Sequence, residues 1–369
     1  MRIGIVLHGP EIVDMGSAKR IIDIFRKEHE VAAKLGGTMG RTAVLDAGLE
    51  DVVDISQGLT PSETINAMRD SIDLAILLNH GKTLETGFKF GQIVASKLDP
   101  SLLFLHIESP DACGRIFYYG HEVKKCAQYV RKFLRMHHEH YDLPVEEGSR
   151  VPLHIRKEGN KVIRRIAGAF EGENIRLEGI VIGEVAQTEP EIICRDSAVF
   201  ELRGIKAKPH GLEKLRSRKI DLFTAKVKTG SIRRTKHKPR IKKSKIEESR
   251  TVAIIDHSAE STFELIKGAS IVITVGDDTT MVAADILTRL GIPIIGITDG
   301  DLDCILPEAA VPEGSVIIRV REGFDDIVGH EVNEKLMKGK QQIVMQKSSD
   351  LPARILALAE IYIVDVRYY

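Results

Sequence analysis

This sequence is short of several things, and each shortage narrows what it can be. It carries no net charge: Lys and Arg together number 53, as do Asp and Glu, so the whole-chain balance predicts nothing about partners and only local runs of charge can. Its four cysteines, Cys113, Cys126, Cys194 and Cys304, are scattered without a CxxC spacing. That argues for a reducing compartment, and against a disulfide framework or a zinc knuckle. No apolar run is long enough to span a bilayer, so no membrane partner is expected. The opening MRIGIVLHGPEI has one Arg and a short apolar run that meets Gly-Pro. It reads as a first β-strand and is too short an apolar region for a signal peptide, which points to a cytoplasmic protein.

What is present is a globular composition, 43% hydrophobic and 29% charged, over a length of 369 residues that suggests two or three domains. Residues 1–148 alternate short apolar runs with helical patterns. RIGIVLHG, EVAAKLGG, VVDIS, DLAILLNHG and SLLFLHIES read as strands, with GSAKRIIDIFRKEH, PSETINAMRDS and TGFKFGQIVASKL as helices between them. Continuous apolar strands alternating with amphipathic helices indicate a parallel sheet covered on both faces. GHEVKKCAQYVRKFLRMHHEHYD follows as one long basic-faced helix. Residues 149–230 change character, with short alternating runs broken by Gly, Asn and Pro, a small β-rich module of barrel-like pattern. Strand–helix alternation returns over residues 251–369. The fold class is therefore α/β: two Rossmann-like parallel-sheet units with a small β-rich module between them.

Residues 231–250 form the most charged stretch. SIRRTKHKPRIKKSKIEESR holds Arg233, Arg234, Lys242 and Lys243 among its many cations, against only Glu247 and Glu248. One reading is contact with RNA or DNA phosphates, since each neutralised phosphate releases counterions. The other is a solvated linker, and the lack of any aromatic residue there leaves base stacking unsupported.

In an open parallel sheet, ligands bind outside the carboxyl ends of the strands, so the residues after each strand deserve most weight. In the first unit these are His8, Gly9 and Glu11; Gly36, Gly37, Thr38, Gly40, Arg41 and Thr42; Asn79, His80, Gly81, Lys82 and Thr83; and Glu108 and Asp111. Glycines let backbone N–H groups approach an anion, and Arg41, Lys82 and the threonine hydroxyls could complete a phosphate or carboxylate pocket. Gly81-Lys82-Thr83 ends like a P-loop, but the glycine required five positions earlier is Ile76. His8, His80 and His106, with Glu108, Asp111 and Cys113 nearby, could instead hold a transition metal, though such histidines are more often scaffold. His137 and His140 share a face of the basic helix and read as surface residues.

RIGIVLHGPEIVDMG, LGGTMGRTAVLDAG, LLNHGKTLETG and HIESPDACG resemble an archaeal protein family, found chiefly in methanogens, whose function is unassigned. The resemblance runs through the β-rich module into the C-terminal unit. It implies an archaeal, cytoplasmic setting and brings no catalytic residues with it.

The C-terminal unit carries two acidic knots, VGDDTT and TDGDLD, each after an apolar run. Singly they read as turn and cap chemistry, with Asp278, Thr279 or Thr280 as the N-cap of the helix between them. If the two strands are neighbours, Asp277, Asp278, Asp299 and Asp301 lie on one sheet edge and would repel unless they bound a cation, for which Mg²⁺ is suited. The arrangement is similar to the Toprim domain of topoisomerases, primases and related nucleases, whose TDxD motif is matched by Thr298, Asp299 and Asp301. The glutamate expected before the turn glycine is Val275, which removes the general acid/base that resemblance would imply. The expected function is binding of a nucleotide or other small anionic ligand, or regulation through it, with RNA or DNA contact. The alternatives are a Mg²⁺-dependent phosphoryl-transfer or phosphodiester enzyme, and an assembly factor.

Overall fold

The structure is a computed structural model that describes residues 1–38, 40–111, 113–150, 154–216, 218–230, 239–241, 251–256, 259, 262–300, 311–345 and 348–369. It divides into two compact units, Met1–His237 and Lys238–Tyr369. Each unit holds a six-stranded, mostly parallel sheet, and two small antiparallel sheets come between them in sequence.

The first unit opens with β1 (Arg2–His8), α1 (Glu11–Asp14), α2 (Ser17–Phe25), β2 (Glu30–Gly36), α3 (Arg41–Asp46) and α4 (Pro61–Ala67). It continues with β3 (Leu74–Asn79), α5 (Leu84–Ser96), β4 (Phe104–Glu108), β5 (Arg115–Tyr118), α6 (Lys124–His137) and β6 (Val145–Glu147). The sheet order is β2-β1-β3-β4-β5-β6, parallel across the first four strands, with β5 antiparallel to β4. Alternation along β1 sorts its side chains between two cores. Ile3, Ile5 and Leu7 pack with Ile21, Ile22 and Phe25 of α2 and Val130 and Leu134 of α6, while Val6 packs with Ile65 of α4 and Val94 of α5. The β1-to-β2 connection thus covers one face and the β3-to-β4 connection the other. The chain changes direction between β1 and β3, which leaves a crevice at their carboxyl ends.

VVDIS does not form a strand. Asp54 makes a single bridge to Lys34, and the segment is held by Val53 in the core. The basic helix ends at His137, with His138 extended, so His137 and His140 do not share a helical face.

The module between the sheets comprises β7 (Ile155–Glu158), β8 (Lys161–Arg165), β9 (Asn174–Leu177), β10 (Ile180–Val185), β11 (Glu191–Arg195), β12 (Ala198–Arg203), β13 (Ile205–Ala207), α7 (Pro209–Leu215) and β14 (Val227–Gly230). Its strands form two four-stranded sheets, β13-β10-β9-β14 and β12-β11-β8-β7, rather than one closed barrel. One core joins them, through Ile175, Leu177 and Ile182 from one sheet and Ile192 and Cys194 from the other.

The second unit runs β15 (Thr251–Asp256), α8 (Thr262–Leu265), β16 (Ile271–Val275), α9 (Asp277–Leu290), β17 (Ile294–Thr298), β18 (Val316–Val320), α10 (Asp325–Val332), β19 (Gln342–Val344), α11 (Leu351–Ala359) and β20 (Ile363–Tyr368). β15, β16, β17 and β18 are parallel, and β19 and β20 pair antiparallel at the two edges. The apolar tail LPARILALAEIYIV is thus a helix followed by an edge strand, because β-branched Ile363 and Val364 follow the helix end at Ala359.

Candidate functional site

The polar groups of the first unit converge at the β1–β3 crevice. His8 and Asn79 are register partners at the ends of these strands, and His8 Nδ1 lies 2.8 Å from Asn79 Oδ1. Asn79 Nδ2 donates to Glu108 Oε2 at 2.7 Å, on the next strand end. The same oxygen lies 3.0 Å from His106 Nε2, while Glu108 Oε1 accepts from the Gly81 N–H at 2.6 Å and the Ser109 hydroxyl at 2.7 Å. Glu108 and His106 have no solvent exposure at all. Burial alone would push the Glu108 carboxyl up, but the hydrogen bond and charge of His106, with the Gly81 and Ser109 donors, outweigh it and hold the pKa at about 2.

A carboxylate can only accept, so each partner's role follows. Asn79 presents its NH₂ to Glu108 and its oxygen to His8, and His8 Nδ1 must therefore carry the proton. Burial pushes the His8 pKa down, which keeps the ring neutral at physiological pH. Its Nε2 is left with a lone pair and no partner among the described residues. The ring is clamped by stacking on Phe90, with centroids 3.9 Å apart.

The loops beside His8 are built for close approach. Gly9 and Gly37 have φ values of 77° and 94°, open to glycine, and a side chain on Gly40 would come within 2.9 Å of the Gly9 carbonyl. Thr38 and Thr42 are half-buried beside them, and Glu11 is exposed in the first turn of α1. The two cations expected in a pocket are already engaged. Arg41 is 1% exposed and its Nε donates to the Ile55 carbonyl at 3.1 Å, while Lys82 pairs with Glu173 at 3.1 Å over the Phe170 ring. Thr83 caps α5 in a reciprocal box with Thr86, and Gly36 sits against Pro61. Asp111 binds Arg20 at 2.7 Å and the Tyr141 hydroxyl at 3.1 Å. His80 is half-buried, and its Nδ1 lacks a partner among the described residues. No group of three or more His, Cys, Asp or Glu able to hold a metal ion occurs among the described residues, so the histidine–carboxylate metal expectation is not met. Ile76, in the place of a P-loop glycine, is a fully buried residue of β3.

Sequence reasoning placed Asn79 and Glu108 at the edge but missed what covers them. Gly87 and Gly91 in α5 lie directly over the Glu108 carboxyl group and over His106 Nδ1 with the Tyr119 hydroxyl. Those last two atoms are buried without partners among the described residues. The available signal was TGFKFGQ: two glycines one turn apart inside a helix each lower its stability, and are explained by an approach no side chain permits.

In the second unit β16 and β17 are parallel neighbours, and the Gly300 N–H donates to Asp277 Oδ1 at 3.4 Å. Asp299 Oδ2 accepts from the Gly323 N–H at 2.6 Å, and Asp325 opens α10. Burial, Asp299 and Asp325 push the Asp277 pKa up against the Gly300 hydrogen bond. α9 starts at Asp277 after Gly276 with no side-chain cap, so Asp278, Thr279 and Thr280 are not caps. Asp278 is exposed, and Thr280 shares a buried hydroxyl contact of 2.8 Å with Thr274. Val275 is fully buried under Gly329 of α10. Asp301 lies outside the described residues, as do Arg233, Arg234, Lys242 and Lys243. No helix among the described residues is long and apolar enough to cross a membrane.

Two comparisons bear on this chain. A family described as an uncharacterized protein conserved in archaea (DUF2117) matches residues 5–340. An uncharacterized protein of Methanocaldococcus jannaschii is 40% identical over 348 residues, covering 92% of this chain and 93% of that protein.

Proposed function

The chain belongs to this family of uncharacterized proteins conserved in archaea, and from its N-terminal sheet edge we propose that it binds a small anionic or nucleotide ligand through His8. The observation that carries the reading is the Glu108–Asn79–His8 hydrogen-bonded chain. It fixes one tautomer of a neutral imidazole and leaves the Nε2 lone pair at the crevice where such sheets take ligands. An acceptor there selects a ligand with an O–H or N–H to give, such as a ribose hydroxyl. With Arg41 and Lys82 engaged and the Gly37 N–H donating to the Leu59 carbonyl at 2.7 Å, the anionic part falls to the backbone N–H groups of the Gly9 loop and of the residues that follow Gly37.

The test is a thermal-shift and calorimetry panel of nucleoside mono-, di- and triphosphates on wild type, His8→Ala and Asn79→Ala. A ligand at a hundred times its dissociation constant stabilises by about 2.7 kcal/mol. His8→Ala is expected to weaken binding about tenfold or more, the worth of one well-placed hydrogen bond. Asn79→Ala frees the tautomer and should weaken it less. Equal binding by all three proteins sinks the reading.

A second reading rests on a separate observation: the Gly300 N–H, next to Asp299, donates to Asp277, whose pKa is pushed up by burial and then by Asp299 and Asp325. We propose that Asp277 and Asp299 take Mg²⁺ together with ligand phosphate oxygens, a coordination that needs only one or two carboxylates. The folded pKa of Asp277 lies above its unfolded value. Its contribution to stability is thus complete below the unfolded pKa and is lost as pH rises through the folded one. At neutral pH Asp277→Asn should therefore raise the melting temperature of metal-free protein, with the gain vanishing in acid. Mg²⁺ should raise it for wild type only. A Mg²⁺ shift that survives in Asp277→Asn would move the cation elsewhere.

A further inference from the structure

The basic face of α6 is not used by the site above. The helix, KKCAQYVRKFLRMH, has no acidic residue and turns Ala127, Val130, Phe133 and Leu134 inward. Its outer face lines a groove of about 450 Å³ with Lys124, Gln128, Arg131, Lys132 and Arg135, opposite Tyr118 and Asp142. Asp142 offsets part of this charge, meeting Arg131 at 2.7 Å and Arg135 at 3.3 Å. Lys124 and Lys132 are exposed and have no carboxylate partner among the described residues.

We propose that this groove binds single-stranded RNA. Lys124, Gln128 and Lys132 follow one another at one-turn intervals, about 6 Å apart along the axis. The 14-residue helix is about 21 Å long, room for about six nucleotides at about 3.4 Å each. Lys124 and Lys132 therefore stand about 12 Å apart and meet phosphates about three to four nucleotides apart, and Gln128 between them offers both a donor and an acceptor to sugar or base. The acceptors across the groove decide the kind of strand. The Asp142 carboxylate keeps lone pairs beyond those its arginines use, and the Tyr118 hydroxyl donates to Glu147 at 3.3 Å, which leaves its oxygen free to accept. A ribose 2′-hydroxyl supplies the matching donor and deoxyribose has none. The lining includes one aliphatic side chain, Val145, too little to anchor a helix in a bilayer.

The experiment is fluorescence anisotropy of the full chain with a labelled mixed-sequence RNA of about 12 nucleotides, from about 50 to about 200 mM KCl. Lys124→Gln/Lys132→Gln, both at exposed positions and checked for an unchanged melt, should weaken binding about tenfold at low salt. It should also flatten the log–log salt slope by about 1.4, the share of two phosphates on a single strand. DNA of the same sequence should bind more weakly. Four results would overturn the proposal: no RNA binding at low salt; equal binding by wild type and variant, which would place contact elsewhere, as at Arg233 or Lys242; equal affinity for DNA; or binding to phosphatidylserine vesicles in place of RNA.

Discussion

Glu108→Ala is expected to cost the N-terminal unit about 3–5 kcal/mol, read as a fall in its urea midpoint. The carboxylate accepts from Asn79, His106, Gly81 and Ser109 in a place that water does not reach. Removing it leaves all four donors without a partner, at about 1–3 kcal/mol for each that cannot re-pair. Glu108→Gln should be nearly as harmful despite its matching shape, because its NH₂ must face a donor. The pH dependence gives an independent readout. The folded pKa, about 2, lies below the ordinary value of 4.5, so the group's contribution is present above about 4.5 and lost as pH falls through about 2. At about 1.36 kcal/mol per unit this amounts to roughly 3 kcal/mol of acid-labile stability. The Ala variant should lack that acid limb, and an identical limb in both proteins would show that Glu108 is not the group that fails in acid.

The sheet units were legible because their strands are continuous apolar runs, such as IGIVL and LAILL, that only a sheet covered on both faces can bury. What periodicity could not show was the end of each unit. β20 follows α11 after a short turn within one mostly apolar stretch, in which only the change to β-branched Ile363 and Val364 marks the change of period. The candidate site was legible as a set of strand ends but not as a network. His8, Asn79 and Glu108 lie 71 and 29 residues apart, and only the parallel register makes them neighbours. The partners of Arg41 and Lys82 are hidden from the sequence for the same reason. The Ile55 carbonyl and Glu173 come from other elements, and a cation's freedom is a tertiary property. The opening of α9 was misplaced because Gly276, with φ 94° and ψ 148°, serves as its cap, a backbone solution that leaves Asp277 inside the helix and turned toward Gly300.

The glycines of α5 give the largest reversal of an ordinary rule. Gly→Ala inside a helix normally stabilises by up to about 1 kcal/mol, since alanine has the higher propensity. At Gly87 a methyl group would land on the Glu108 carboxyl, and at Gly91 on His106 Nδ1 and the Tyr119 hydroxyl. Neither partner can yield, because Glu108 is held at four points and His106 by Glu108 in turn. The helix must then lift from the sheet, uncovering Val94 and Ala95 and loosening Phe90 from His8. Gly87→Ala is therefore expected to destabilise by about 1–3 kcal/mol, the range of overpacked cores. A double-mutant cycle separates this collision from a general intolerance of α5. In a Glu108→Ala background the obstructing carboxyl is gone, and the further cost of Gly87→Ala should fall by about 2 kcal/mol or change sign. Strict additivity of the two substitutions would mean that helix and carboxylate do not meet, and that α5 does not lie closed over the Glu108–Asn79–His8 chain.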